Sequence, residues 1–214
     1  PQFQIPDEPL KRGKVLTPAD LEKRNFLAYK EEQRDGVSYR TLPGVQHPKG
    51  AYLNRGSGHN EKAEYSERQE DYSWKLDKLN RKWETAKKRV PPSVIEAQPD
   101  IKLAFITFGA NTASLKELRD CLLKQNISSN FLRVCSFPFP EEVEHFLEKQ
   151  EEIYVVEQNR DGQLKQLLSG EFPKHSAKMK SLLQYDGRPL MFSHIKKQFE
   201  TIYFKKNCAF TQNS

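Results

Sequence analysis

Apolar and polar positions divide the chain unevenly. After Asp100, short apolar runs alternate with segments whose apolar residues recur every three or four positions. Lys102–Phe108 reads as a buried strand closed by Gly109. Ser114–Gln125 reads as a helix with Leu115, Leu118 and Leu122 inward and Asn126 as its stop. Asn130–Cys135 is a second strand, Phe137-Pro138-Phe139-Pro140 a rigid aromatic turn, and Glu141–Lys149 a helix with Val143, Phe146 and Leu147 on one face. The third strand, Ile153–Glu157, ends in an acid. After Gly162 a helix opens at Gln163–Leu168. Met179–Tyr185 is a fourth strand stopped by Asp186-Gly187, and Ser193–Phe204 a last helix aligning Ile195, Phe199 and Ile202. This alternation predicts a largely parallel sheet with helices on both faces and right-handed connections, over residues 99–204, followed by a frayed tail, 205–214.

The first 98 residues follow another pattern, which predicts an extended connector. Pro1, Pro6, Pro9 and Gly13 keep residues 1–16 extended. Thr17-Pro18 starts a helix expected to run to about Gln33, with Asp20 and Glu22 favoured in its first turn. Tyr39–Glu61 is rich in proline and glycine but also holds Tyr39, Leu42, Tyr52 and Leu53, so it predicts an ordered loop laid on another surface rather than a disordered linker. Residues 67–89 form the clearest helix. Tyr72, Leu76, Leu79, Trp83 and Ala86 share one face, read as a packing face, and Val90-Pro91-Pro92 stops it. Residues 91–100 link it to the sheet.

Composition sharpens this division. The 214 residues are 36% apolar and 30% charged, with mean hydropathy −0.83, net charge +6 and pI about 9.1. The charges are mixed rather than gathered in a basic stripe, which argues against nucleic acid. Lys87-Lys88-Arg89 suits the carboxyl end of a helix dipole. Cys121, Cys135 and Cys208 are scattered and offer no metal-ligand spacing. No run approaches the roughly 18 apolar residues of a membrane span, and no signal peptide is visible. A cytoplasmic protein is expected. The sequence starts at Pro1 rather than Met, and a piece of a longer chain is expected.

The candidate chemistry is sparse. Neither a dinucleotide fingerprint nor a phosphate loop nor a nucleophile elbow is present. Glu157, at a strand end beside Gln158 and Asn159, suits a desolvated general base or, in preference, an acid bonded to turn amides or to a partner subunit. Arg55-Gly56-Ser57-Gly58-His59 has the composition of a backbone anion nest but lacks the flanking strand and helix. His47 and His59 have no acidic or cysteine partner at ligand spacing, so no metal is expected. His145 reads as a surface residue, and His175 and His194 lack a fixed partner. The residues alone describe an α/β module that binds another protein.

Longer strings say more. Tyr39-Arg40-Thr41-Leu42-Pro43-Gly44, His47-Pro48-Lys49-Gly50-Ala51-Tyr52 and Arg55-Gly56-Ser57-Gly58-His59-Asn60 occur in order. Phe137-Pro138-Phe139-Pro140, Val155-Val156-Glu157-Gln158-Asn159 with Gly162-Gln163-Leu164, and Tyr185-Asp186-Gly187-Arg188-Pro189-Leu190 follow them. Together they resemble the alpha subunit of 2-oxoacid:ferredoxin oxidoreductases over about residues 3–200. The resemblance is greatest to the 2-oxoglutarate type, whose alpha chain often carries a fused gamma part. One departure is Gly109-Ala110-Asn111-Thr112-Ala113, where the family has a second glycine.

The resemblance implies a transketolase C-terminal-like, three-layer α/β/α domain preceded by a connector. It implies a parent that decarboxylates a 2-oxoacid with thiamine diphosphate and magnesium, passes electrons through an iron–sulfur cluster to ferredoxin, and transfers the acyl group to coenzyme A. The pyrimidine-binding domain and Thr-Pro motif of such alpha chains lie upstream, and a beta subunit carries the diphosphate site. The fragment is therefore expected to hold no cofactor and no catalytic residue. Its partners would be the beta subunit, its own upstream domains and, through the complex, ferredoxin. Arg40, Lys49, Arg55 and His59 are candidates to favour an anionic 2-oxoacid or coenzyme A, or else to fix their loop on backbone carbonyls. Glu157, Asn159 and Gly162 are candidates for an interface or strand-end turn.

Overall fold

A computed structural model describes residue 5, residues 7–53, residue 56 and residues 58–211, with side chains to residue 205. The chain forms two compact units, Pro1–Ala86 and Lys87–Ser214.

The second unit is the sheet. Its strands are β1 (Val94–Glu96), β2 (Leu103–Phe108), β3 (Asn130–Val134), β4 (Glu152–Glu157) and β5 (Met179–Leu183), in the order β1-β3-β2-β4-β5. All neighbours are parallel except β1 and β3. The helices here are α3 (Thr112–Leu123), α4 (Glu141–Glu148), α5 (Gln163–Glu171) and α6 (Phe192–Thr211). Strands β2 and β4 are central, so both their faces are covered and their sequences, LAFITF and EIYVVE, run nearly continuously apolar. Alternate residues feed two cores. Ala104, Ile106, Ile153 and Val155 meet Val143, Phe146 and Leu147 of α4 and Leu164 and Leu168 of α5. Phe105, Tyr154 and Val156 meet Leu115, Leu118 and Leu122 of α3 and Ile195 and Phe199 of α6. The result is three layers, α/β/α, with a mostly parallel sheet.

Three expectations change. Residues 91–100 are not merely a linker. Val94↔Arg133, Ile95↔Leu132 and Glu96↔Phe131 pair β1 antiparallel at the sheet edge, and Arg119 holds Glu96 at 2.5 Å. The last helix passes Phe204 and stays helical to Thr211, where a frayed tail is expected; residues 212–214 and the side chain of Cys208 lie outside the described residues. The fourth strand stops at Leu183 because Gln184 turns its amide to Asp186 and the Pro189 carbonyl. The Phe137–Pro138 peptide is cis.

The first unit has two helices, α1 (Pro18–Lys23) and α2 (Gln69–Lys87), on a framework of irregular chain. Thr17 caps α1 in a reciprocal box with Asp20. The helix ends ten residues before the expected Gln33, because Arg24 turns to extended backbone. Phe26 and Tyr29 then leave helical register to pack on Tyr52 (5.6 Å between ring centroids) and His59 (3.8 Å, stacked). Where described, the loop after Tyr39 is tied to its surroundings by hydrogen bonds. Arg40 bridges to Val15 through paired backbone hydrogen bonds, and Thr41 Oγ1 donates to the Gly50 carbonyl at 2.7 Å.

Helix α2 corrects the sequence reading most sharply. The expected packing stripe faces outward, with Tyr72 57%, Leu76 46%, Leu79 51% and Trp83 38% exposed, while Lys78 is the buried residue at 8%. The helix docks on residues 29–38 by its polar side. Arg81 grips Glu31 with both Nε and Nη2, Thr85 Oγ1 donates to the Asp35 carbonyl at 2.7 Å, and Lys78 Nζ donates to the Tyr29 carbonyl and Ser38 Oγ. The close approach depends on Gly36. At φ +73 it lies against the helix backbone, and a Cβ there would run into the amide and Cα of Lys82.

Candidate functional site

Two places deserve the name of a site, one in each unit. In the sheet unit, the carboxyl ends of β2, β3 and β4 open onto a crevice of about 500 Å³ whose wall includes Phe108, Gly109, Arg133, Phe137, Glu157 and Leu167. The chain leaves β2 toward β3 on one side, while β4 lies on the other, so this edge is where strand order reverses. Such a switch point is the usual ligand edge of an open α/β sheet.

Glu157 is fully buried there. Its Oε2 accepts the Leu164 amide at 2.7 Å and Asn159 Nδ2 at 2.6 Å, and its Oε1 accepts the Lys165 amide at 3.2 Å. Asn159 Oδ1 accepts the Gln163 amide at 3.1 Å. The first three amides of α5, which no helical carbonyl can reach, are thus satisfied by the two side chains before them. Gly162 allows this. It occupies the cap position at φ 64, ψ 48, where it has no side chain to cap with, and a Cβ would sit 3.2 Å from Ser181 Oγ. Glu157, Asn159 and Gly162 therefore form one strand-end turn. With both carboxylate oxygens engaged, Glu157 caps the start of α5. Nearby Gly109, at φ 62, leads into a single helical turn, Gly109–Asn111, and Asn111 is buried with its Oδ1 unpartnered.

In the first unit, a cavity of about 870 Å³ is lined by Arg12, Lys14, Arg40, Lys75, Lys78 and Lys82, together with Tyr29, Tyr39, Tyr52 and His59. No carboxylate lines it among the described residues. Lys14 is neutralised by Asp35 at 2.8 Å. Burial pushes the Lys78 ammonium down from the ordinary lysine range; Glu31 opposes this and Lys82 adds to it.

Of the four basic loop candidates, two meet here. Arg40 lines the cavity and donates to the Arg12 carbonyl at 3.0 Å, and His59 is stacked on Tyr29. Lys49 is elsewhere: its Nζ reaches the Leu21 and Arg24 carbonyls at the end of α1, a loop-fixing contact. Arg55, and with it the proposed Arg55–His59 nest, falls on positions outside the described residues, as does Ser57. The lysines of α2 are missed by sequence reasoning, because a lysine between apolar positions gives no sign of being buried. His47 accepts the Lys49 amide on Nδ1 and contacts Glu22 through Nε2 at 3.0 Å.

Two histidines of the second unit are also placed. His145 is largely exposed, 3.8 Å from Glu141. His175 is buried with Nε2 unpartnered, and burial, with Lys178 and Lys174 adding, pushes its pKa down. Its ring atoms lie near Glu144 and Glu148, but Lys174 already bridges those two carboxylates, at 2.8 and 3.2 Å.

With this geometry in hand, comparison with known proteins is informative. No family model matches the chain. Curated relatives do. It is 28% identical over 187 residues to 2-oxoacid:ferredoxin oxidoreductase 2, subunit alpha, of Aeropyrum pernix, covering 85% of this chain and 28% of that protein. It is 29% identical over 185 residues to 2-oxoacid:ferredoxin oxidoreductase 1, subunit alpha, of Sulfurisphaera tokodaii, covering 84% and 27%.

The chain is similar to 2-oxoacid:ferredoxin oxidoreductase alpha subunits. It spans a little over a quarter of the length of those relatives. Among solved structures it matches the 2-oxoglutarate:ferredoxin oxidoreductase of Magnetococcus marinus, determined with 2-oxoglutarate, coenzyme A and succinyl-CoA bound. That match has a TM-score of 0.69 and 18% identity, over 81% of this chain and 30% of that one. At that identity the match establishes the fold, in agreement with the three-layer α/β/α unit and mostly parallel sheet described above. Among the described residues, no helix is long and apolar enough to cross a membrane.

Proposed function

We propose that this chain is the C-terminal part of the alpha subunit of a cytoplasmic 2-oxoacid:ferredoxin oxidoreductase that uses 2-oxoglutarate. The observation that carries the reading is the alignment of 84–85% of the chain to two such alpha subunits. The TM-score of 0.69 to an oxidoreductase of the 2-oxoglutarate type adds fold-level support.

In this reading the chain is structural, and the chemistry belongs to the rest of the complex. Thiamine diphosphate, magnesium, the iron–sulfur cluster and coenzyme A would be held by upstream domains and the beta subunit. The residues here do not fit a cluster. Cys121 lies on α3 and Cys135 just beyond β3, and a cubane takes four thiolates. Glu157 accepts the Leu164 and Lys165 amides and Asn159 Nδ2, which suits a strand-end cap. The crevice edge and the outward stripe of α2 would face the beta subunit and the upstream domains, while Arg40 and His59 stand toward the anionic substrates and Lys49 fixes the loop.

A second reading, a non-catalytic α/β interaction module, draws on the same apolar stripe. Co-expression of the full parent chain with its beta subunit separates the two. Coenzyme-A-dependent reduction of a viologen dye by 2-oxoglutarate is the expected result. Reduction by pyruvate alone would change the substrate. A stable complex inactive on every 2-oxoacid would leave the module.

A further inference from the structure

Helix α4 of the sheet unit ends against the segment that follows α5. That segment, Pro173–Lys178, is a short run of 3-10 turns. Lys178 Nζ donates to the Leu147 and Gln150 carbonyls and so fixes the run on the carboxyl end of α4. The seating gathers three metal-ligating groups from two stretches of chain. Glu144 and Glu148 stand about one turn apart on one face of α4, and His175 comes from the segment after α5. A ring nitrogen of His175 and one carboxylate oxygen from each glutamate all lie within 4.8 Å of one another.

His175 makes this more than a pair of surface acids. The residue is only 7% exposed, and its Nε2 is buried without a hydrogen-bond partner. A buried polar nitrogen is normally satisfied, because a bare one loses hydration without return. A neutral imidazole carries a lone pair and is the commonest metal ligand among side chains. The place also holds a positive charge already, since Lys174 Nζ bridges Glu144 at 2.8 Å and Glu148 at 3.2 Å. One ammonium leaves one of the two carboxylate charges unmatched, whereas a divalent cation matches both. The Lys174 side chain is 58% exposed, so its ammonium can move to water, and exposed ion pairs of this kind contribute little. The glutamates are also partly exposed and free to rotate inward, to the roughly 2.1 Å at which zinc holds nitrogen and oxygen ligands. A donor set that includes imidazole favours a cation of the zinc class over magnesium, which takes oxygen in a strict octahedron.

We propose that Glu144, Glu148 and His175 bind a zinc-class divalent cation, which takes the place of the Lys174 ammonium and ties α4 to the segment after α5. Three protein ligands leave a fourth position to water. The inference goes beyond the proposed function, which gives these residues no ligand. It is tested on the 214-residue chain by itself, so its failure would leave the dye-reduction assay of the whole complex untouched.

Titration calorimetry of the chelator-treated chain with zinc and with magnesium is the experiment. Zinc should bind as one equivalent with Kd below about 10 μM, and magnesium at least about a hundredfold more weakly. Glu144→Gln with Glu148→Gln should weaken zinc by about tenfold or more while circular dichroism stays unchanged. His175→Gln should do the same, and the glutamate pair decides the matter if that variant fails to fold. Lys174→Met should bind zinc several-fold more tightly, because the competing ammonium is gone; a purely structural role for these residues predicts no such gain. Glu141→Gln with His145→Gln, the exposed pair on the same helix, should change nothing. Absence of zinc binding by the folded chain would overturn the proposal. So would undiminished binding by the Glu144 and Glu148 double variant, or loss of binding in the Glu141 and His145 variant.

Discussion

The two units solve the problem of burying a helix in opposite ways. In the sheet unit, each helix turns an apolar face to the strands, and the buried Glu157 is matched to the amides of α5, while Asn111 Oδ1 and His175 Nε2 are buried without a partner. In the first unit, α2 turns an arginine, a threonine and a buried lysine inward and leaves two leucines, a tyrosine and a tryptophan partly exposed. One unit is held by area removed from water and the other by specific hydrogen bonds and ion pairs. The first kind of packing tolerates isolation. The second leaves apolar surface on the outer face of its helix.

Substitutions can break this contrast, beginning with the largest effect. Phe199, fully buried against Phe105 and Tyr154, should cost about 4 kcal/mol on truncation to alanine, read as loss of amide protection across β2, β4 and α6. Gly36→Ala should cost about 3 kcal/mol, since it combines a positive φ with overlap on the α2 backbone. The loss of protection should appear in residues 29–41 and α2 and spare the sheet. Glu157→Gln should cost about 2 kcal/mol in a urea titration, because the amide presents an N–H where the carboxylate accepted one.

Acid supplies a further test. The folded-state pKa of His175 lies below its ordinary value of 6.5, so the unfolded chain takes up a proton that the native ring refuses. That contribution to stability is complete above about pH 6.5 and is lost as the pH falls toward the folded value. His175→Gln should flatten the fall in urea midpoint between about pH 7 and about pH 5. The smallest effect on folding belongs to the outer face of α2. Leu76→Glu with Leu79→Glu should change stability by no more than about 0.5 kcal/mol per site, yet abolish co-purification with a beta subunit. Retained co-purification would remove the stripe from the assembly.

The sheet unit was legible in the sequence because its central strands are buried on both faces and its helices carry leucines at regular spacing. The turn at Glu157–Gly162 was legible for a related reason: an acid ending an apolar run, followed by a glycine and a helix, leaves few geometries open. Strand β1 was not, since three residues, Val94–Glu96, between prolines carry no periodicity and take their conformation from the free edge of β3. The orientation of α2 was misread because periodicity reports that apolar residues share a face, not that anything covers it. The cationic cavity was half legible. Arg40 and His59 stood out in an unusual loop, whereas Lys75, Lys78 and Lys82 looked like the solvated side of an amphipathic helix.

The antiparallel course of β1 also has a mechanical consequence. The chain that leaves the first unit enters the sheet unit through this edge strand, three residues long and paired on one side only. Tension along that chain therefore reaches the Pro91–Ser136 and Ser93–Glu142 hydrogen bonds and then β1 before any interior strand. Under pull, β1 and the Glu96–Arg119 link should peel away as a sacrificial tab before β2 and β4 feel the load.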